Sequence, residues 1–298
     1  MRSPSDPEAG PASHTVGRGT GTPRQLLRSL LSPSALTGGM TELALVGAHV
    51  LMYPLGARAE PLRVDPRCRP GEQPPGVRAL FGADPLAARV PVVLVHGLID
   101  NHSIFAVMRR SLRRRGFTSV CSWNYSPFLS DVARGAADLG EHLQRVCERI
   151  GHERVHVVGH SLGGLLARYH VQRQGGDRHV ETLVTLGTPH GGSVLAHLLP
   201  TPLVRQLRPG SAVLRELAEP APDVRTPVTA IYSDLDQVVV PTGAGRCDHP
   251  DLRARNVLVR GVGHTSLPFH RGVLDEVATT LAGVRRDPAV GLAPAAVA

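Results

Sequence analysis

The stretch Val155-His156-Val157-Val158-Gly159-His160-Ser161-Leu162-Gly163-Gly164 decides how this chain is read. Apolar β-branched residues lead into a serine set between glycines, and Leu165, Leu166, Ala167, Arg168 and Tyr169 then suit a helix. The pattern is a strand, a sharp turn and a helix, with a hydroxyl at the apex. Such a turn forces the serine backbone into a strained conformation, and the glycines two residues to either side let strand and helix approach closely. The serine oxygen is pushed above the sheet, at the positive end of a helix, where a developing negative charge is stabilised. A glycine-rich structural turn could share the Gly-x-Ser-x-Gly spacing. The strand pattern before it and the helical pattern behind it argue for the nucleophile turn.

Outward from this turn, strand and helix patterns alternate. Val90 to Val95 is a continuous apolar run, the mark of a strand covered on both faces. Further strands are predicted over 117–122, 154–158, 180–186, 227–233 and 256–260. Helical patterns fall over 103–115, 130–150, 162–174, 211–218 and 271–283. The clearest carries Val132, Ala136, Leu139, Leu143, Val146 and Ile150 at steps of four and three. The alternation predicts an α/β fold, a mostly parallel sheet of about six strands with helices on both faces. Functional residues should gather at the carboxyl ends of the strands.

The 298 residues suffice for one substantial core. Residues 1–24 are rich in Pro, Gly, Ser and Thr and read as a disordered tail. Residues 25–88 read as a helical and irregular extension, 89–285 as the catalytic domain, and 286–298 as a second disordered tail. Within the extension, Leu26, Leu27, Leu30 and Leu31 form a short stripe, and Glu42 to Leu55 a more apolar segment. Three readings of 25–57 stay open: a helix packed on the main domain, a helix on a membrane surface, or a long signal sequence. Location is left open with them, between the cytoplasm, the membrane periphery and secretion.

The formal charge is +8, and all 33 basic residues are arginine. A basic balance suits nucleic acid or anionic membrane. Aromatic content of 3% and the lack of a zinc-finger or RNA-recognition motif count against nucleic acid. An arginine-favouring genome composition is the bland reading. Arg109, Arg110, Arg113, Arg114 and Arg115 crowd one helix, either as a solvated face or as a contact with anionic lipid. Cys68, Cys121, Cys147 and Cys247 lack metal-ligand spacing, so neither metal nor cofactor is expected. Cys121 and Cys147 read as core thiols; a Cys68–Cys247 disulfide cannot be argued from spacing. A monomer is expected.

A serine hydroxyl needs a base, and the base an orienting group. Among fifteen histidines, His264 is the strongest candidate, in the loop Gly261-Val262-Gly263-His264-Thr265-Ser266 between the last strand and the last helix. His160 adjoins the serine and is directed away from the hydroxyl. His96 is read as support for its loop, and His190 as a residue bordering the pocket. The acid should come from Ser233-Asp234-Leu235-Asp236-Gln237-Val238-Val239-Val240-Pro241. Asp236 directly precedes the apolar run that would bury it beneath the histidine, whereas Asp234 suits a turn cap. Two main-chain donors for an oxyanion would be the N–H groups of Leu162 and Leu98.

Five blocks then stand in order: Val93-Leu94-Val95-His96-Gly97-Leu98, Gly159 to Gly164, Leu186-Gly187-Thr188-Pro189-His190-Gly191-Gly192, Asp236 to Pro241, and Gly261-Val262-Gly263-His264. On these, residues 90–285 resemble the α/β-hydrolase family, most closely its small bacterial triacylglycerol lipases and esterases. The resemblance implies Ser161, Asp236 and His264 as a triad and Leu98 and Leu162 as oxyanion residues. It also implies that the block around His190 borders an acyl pocket; the residues themselves put apolar Ile99 and Leu165 beside the nucleophile as further pocket candidates. The expected substrate is a lipid or small-molecule ester with an aliphatic acyl group. Thioesters or amides on the same fold, another acyl transfer, and a non-catalytic binding role are the alternatives. The stretch 188–226, with Val194, Leu195, Leu198, Leu199, Leu203, Val204 and Leu207, reads either as packing on the sheet or as an apolar rim with a small lid.

Overall fold

The computed structural model describes residues 80–81, 88–98 and 100–283. The expectations for 1–24, 25–57 and 286–298, and those for Cys68 and Ile99, lie outside the described residues. Among the described residues six strands form one sheet: β1 (Val92–Val95), β2 (Val120–Trp123), β3 (Val155–His160), β4 (Val180–Leu186), β5 (Val228–Ser233) and β6 (Arg255–Val259). Their order is β2-β1-β3-β4-β5-β6, and every neighbouring pair is parallel. The chain thus runs from β1 to β2 on one side and returns to β3 on the other. Loops leaving β1 and β3 diverge there, which is where open α/β sheets place their sites.

Alternation along the buried strands sorts side chains to two cores. Val93, Val95 and Val157 face a cluster with Val132, Ala136, Leu139 and Leu143 of α2 (Val132–Ile150) and with Leu162, Leu165 and Leu166 of α3 (Leu162–Arg173). Val92, Leu94 and Val158 face Met108 and Leu112 of α1 (Ala106–Arg114) and Val273, Val277 and Leu281 of α6 (Arg271–Leu281). Two short helices, α4 (Pro202–Arg205) and α5 (Ala212–Glu216), lie between β4 and β5. Phe81, edge-on to Phe117, and Ala88 join the second cluster, so the core begins before residue 89.

The elements sit where the patterns put them, with shifts at their ends that have physical causes. The first helical pattern opens as a 3-10 turn, His102–Phe105, because the Asn101 side chain caps it through Ser103 N–H. The strand expected from 117 starts at 120, because Phe117 and Thr118 spend their N–H groups on Leu112 and Ala88 carbonyls. Helix α2 is capped by the Asp131 carboxylate on Arg134 N–H (2.8 Å) and ended by left-handed Gly151. Cys121, Cys147 and Cys247 are buried, Cys121 and Cys147 in the core as their apolar surroundings predict.

The arginines of α1 do not present one open face. Arg109 donates to Ser122 Oγ (3.2 Å) and Arg113 to the Val120 carbonyl (2.9 Å) along the outer edge of β2. Arg115 pairs with Asp275 of α6. Such cations tie elements together, and the cluster gives no support to a lipid contact on that helix.

Candidate active site

Ser161 sits between β3 and α3 with φ 52° and ψ −122°, a left-handed strain that non-glycine residues rarely accept. The neighbourhood holds it there. Its N–H donates to the Leu186 carbonyl of β4 (2.8 Å), and its carbonyl accepts from Gly164 N–H (3.1 Å) and Thr188 Oγ1 (3.0 Å). The flanking glycines are a packing requirement: a Cβ on Gly159 would overlap the Gly164 backbone, and one on Gly163 would overlap the Val95 carbonyl. The start of α3 therefore rests directly on the end of β1. The loop after β1 is fixed in turn by Tyr125, whose hydroxyl donates to the Gly97 carbonyl (2.5 Å). His96 stacks on the Tyr125 ring at 4.3 Å. Burial lowers the pKa of His96 to about 4, so it stays neutral and supports this loop. Leu162 has a fully buried side chain and Leu98 a partly buried one against the same core. Both belong to the two backbone segments that this packing brings together.

His264 and Asp236 meet across the ends of β6 and β5. His264 Nδ1 lies 2.7 Å from Asp236 Oδ2, and both residues are buried. The other carboxylate oxygen accepts from Val238 and Val239 N–H, each at 2.8 Å. Burial opposes ionisation of Asp236, but the charge and hydrogen bond of His264 and the two N–H donors together hold its pKa below the ordinary value. An ionised carboxylate only accepts, so Nδ1 carries the proton of this hydrogen bond, which aims the opposite nitrogen, Nε2, away from the carboxylate. Asp234 is exposed and accepts from Gly261 N–H (2.7 Å), which makes it the cap of the neighbouring turn.

Two residues assigned to the pocket are elsewhere. Leu165 has no exposed surface and packs in the core with the α2 side chains, because the inner stripe of α3 faces the sheet. His190 is enclosed between Thr185 Oγ1 (2.9 Å) and the Arg168 guanidinium (3.3 Å). Arg168 donates, so His190 Nδ1 accepts; burial first, then the arginine charge, drives its pKa well below the usual range. It is buried and anchors the segment after β4.

The 188–226 stretch divides between the two readings given to it. Leu203 is buried in the α2–α3 core and Val204 is buried next to it in sequence, while Val194, Leu195, Leu198 (76% exposed) and Leu199 (52%) face solvent. The segment is held from behind, with Ser193 Oγ donating to the Val238 carbonyl (2.6 Å) and Arg208 to the Ala196 carbonyl (3.0 Å). Sequence reasoning missed Thr188 and the full part played by His160. The one available signal was that His160 ends one central strand and Thr188 lies just past the end of another.

This fold and strained serine turn define the α/β hydrolases. Within that class, the model of the palmitoyl protein thioesterase family matches residues 91–240, just over half of the chain, and the chain belongs to that family. It is similar to a triacylglycerol lipase of Burkholderia plantarii, 36% identical over 129 residues, covering 40% of this chain and 35% of that one. A triacylglycerol lipase of Pseudarthrobacter phenanthrenivorans is 36% identical over 120 residues, covering 37% of this chain and 36% of that one. The matched region thus spans about a third of each of these relatives. Among solved structures, the mature lipase BlEst2 of Bacillus licheniformis superposes with a TM-score of 0.54 at 18% identity, over 65% of this chain and 92% of that one. That likeness is one of fold.

Proposed function

We propose that this protein is a serine hydrolase that cleaves carboxylic esters of aliphatic acyl chains through an acyl-enzyme. Ser161 is the nucleophile, His264 the general base and Asp236 its orienting group. The observation that carries this reading is the buried His264–Asp236 pair, 2.7 Å apart, at the same edge of the sheet as the strained Ser161 turn. His264 Nε2 accepts the Ser161 hydroxyl proton as Oγ attacks the ester carbonyl, then returns it to the leaving alcohol. A water molecule repeats the attack on the acyl-serine with the same base. The N–H groups of Leu162 and Leu98 stabilise the oxyanion, each contributing on the order of 3 kcal/mol to the transition state. The apolar side chains of Val194, Leu195, Leu198 and Leu199 offer the acyl chain a surface. The lipase names of the relatives support the ester class.

A second reading, hydrolysis of acyl thioesters by the same groups, is favoured by the family match over residues 91–240. A fluorophosphonate probe and a matched set of oxygen esters and thioesters of rising chain length separate the possibilities. Labelling of Ser161 and a loss of about 10⁴ or more in turnover for Ser161→Ala are expected. Full activity in that variant overturns the hydrolase reading, and a higher kcat/KM on every thioester selects the second one. An unlabelled wild-type serine indicates a binding member of the fold.

A further inference from the structure

His160 precedes Ser161, ends β3 and is 1% exposed. Its imidazole touches both loops that flank the nucleophile. Nε2 lies 3.2 Å from the His264 carbonyl oxygen, and the two imidazole rings are 4.8 Å apart at their centres. Nδ1 lies 3.3 Å from Asp100 Oδ2, in the loop that follows β1. A carbonyl oxygen only accepts, so Nε2 carries a proton toward His264. The Asp100 end is anchored at a crowded corner. A Cβ on Gly97 would stand 2.7 Å from Asp100 Oδ2, 3.1 Å from Ser161 Cβ and 3.3 Å from His160 Nδ1. The β1 loop, the nucleophile turn and the β6 loop thus meet on one buried ring.

We propose that His160 is a positioning residue for the reaction, tying the oxyanion loop (through Asp100) to the loop that carries the base (through the His264 main chain). This inference rests on the hydrolase reading above. The physical need is plain. The oxyanion donors sit on the β1 loop and α3, whereas His264 is carried by a loop four strand positions away from β1 in the β2-β1-β3-β4-β5-β6 order. Nothing in the triad itself fixes the distance between these two loops. One buried ring wedged between them does so, by its hydrogen bond to the His264 carbonyl and its close contact with Asp100 Oδ2, and displacement of a reacting group by about 1 Å costs on the order of 10²-fold in rate. The ring contacts the His264 carbonyl, so it sets where the backbone stands and leaves Nδ1 to Asp236.

The test is a mutant cycle on the full chain. His160→Phe keeps a buried ring but neither polar contact; Asp100→Leu breaks the other half of the tie; His160→Gln keeps an amide donor for the carbonyl. His160→Phe should lower kcat for a short ester about 10²-fold, with little change in KM. His160→Gln should recover about tenfold of that loss. In the Asp100→Leu background, His160→Phe should cost clearly less than it does alone, because the tie is already cut. Independent, multiplying losses, or a His160→Phe enzyme with wild-type kcat, would overturn the proposal. If the Phe variant does not fold, the same cycle run with His160→Gln and Asp100→Leu decides it by the same criterion. Ser161→Ala separates the two levels of inference. If it retains turnover, the hydrolase reading fails; if it is inactive while the His160 cycle is additive, only the positioning role fails.

Discussion

Two regions meet at the carboxyl edge of the sheet and are fastened there in opposite ways. Around Ser161 and Asp236, polar atoms fix the backbone. The serine N–H and carbonyl are both bonded, and one Asp236 oxygen holds two N–H groups while the other holds His264. The excursion from 188 to 226 is instead pinned from behind, by Arg168 on the Leu217 carbonyl (2.9 Å), by His190, and by Leu203 and Val204 in the core. Its segment 194–199 turns apolar side chains to water. The difference teaches a division of labour. Bond making needs donors and acceptors held to fractions of an ångström. An acyl chain needs apolar area, which a looser surface supplies without directional contacts.

The sharpest way to break this comparison lies within a single loop. Asp236 and Asp234 are two residues apart, yet one is buried on His264 and the other caps a turn in solvent. Asp236→Asn should lower kcat by about 10⁴, because the amide favours the wrong imidazole tautomer for a base at Nε2. Asp234→Asn keeps an acceptor for Gly261 N–H and should stay within about twofold. Steady-state kinetics on one ester suffice, and comparable losses in the two variants would end the distinction between them.

That pair also shows how far the residues alone could be read. The fold was legible because continuous apolar runs and a 3.6-residue stripe leave few alternatives. Val92 to Val95 and the stripe from Val132 to Val146 are buried as their spacing demands, with Ile150 half-buried at its end. Asp236 was legible from its place before Val238-Val239-Val240. Leu165 and His190 misled for physical reasons. Proximity in sequence to Ser161 says nothing of which side of α3 a residue occupies. His190 lies beside Arg168, twenty-two positions away, a buried contact no local pattern announces. The contacts of His160 depend on Asp100 and His264, sixty and 104 residues distant, which only the sheet order brings together.

Acid should separate the regions next. Burial lowers the pKa of His96 and His142 to about 4 and of His156 to about 3, from the usual 6.5. Among the described residues His156 has no hydrogen-bond partner on either ring nitrogen, so none of them offsets its desolvation. Each of these imidazoles binds its proton more weakly folded than unfolded. Between pH 6.5 and the folded values the unfolded chain therefore holds more protons. Stability is complete above about pH 6.5 and declines as pH falls toward 4, by on the order of 1 kcal/mol for every tenfold change in proton affinity at each site. Urea unfolding midpoints between pH 7.5 and 4.5 should fall steadily below 6.5. Substituting His156 by a leucine that fills its space should flatten part of the decline, and an unchanged slope in that variant would exclude burial of this ring as a cause.

The smallest effect is the one that sharpens the comparison most. Leu198 and Leu199 are exposed and support no element of the core, so Leu198→Glu should leave the unfolding midpoint within error. If 194–199 receives the acyl chain, a charge there removes apolar contact from long chains only. Specificity in an apolar site changes by roughly 1–3 kcal/mol per methylene-sized contact, so kcat/KM for long-chain esters should drop about tenfold. Acetyl esters, too short to reach the segment, should react at nearly the wild-type rate. An equal loss at every chain length would mean that the charge disturbs the fastened region, since only there does a change reach the shared chemical step. The chain-length dependence of one substitution thus measures whether the two regions are as separate in function as they are in the way they are held.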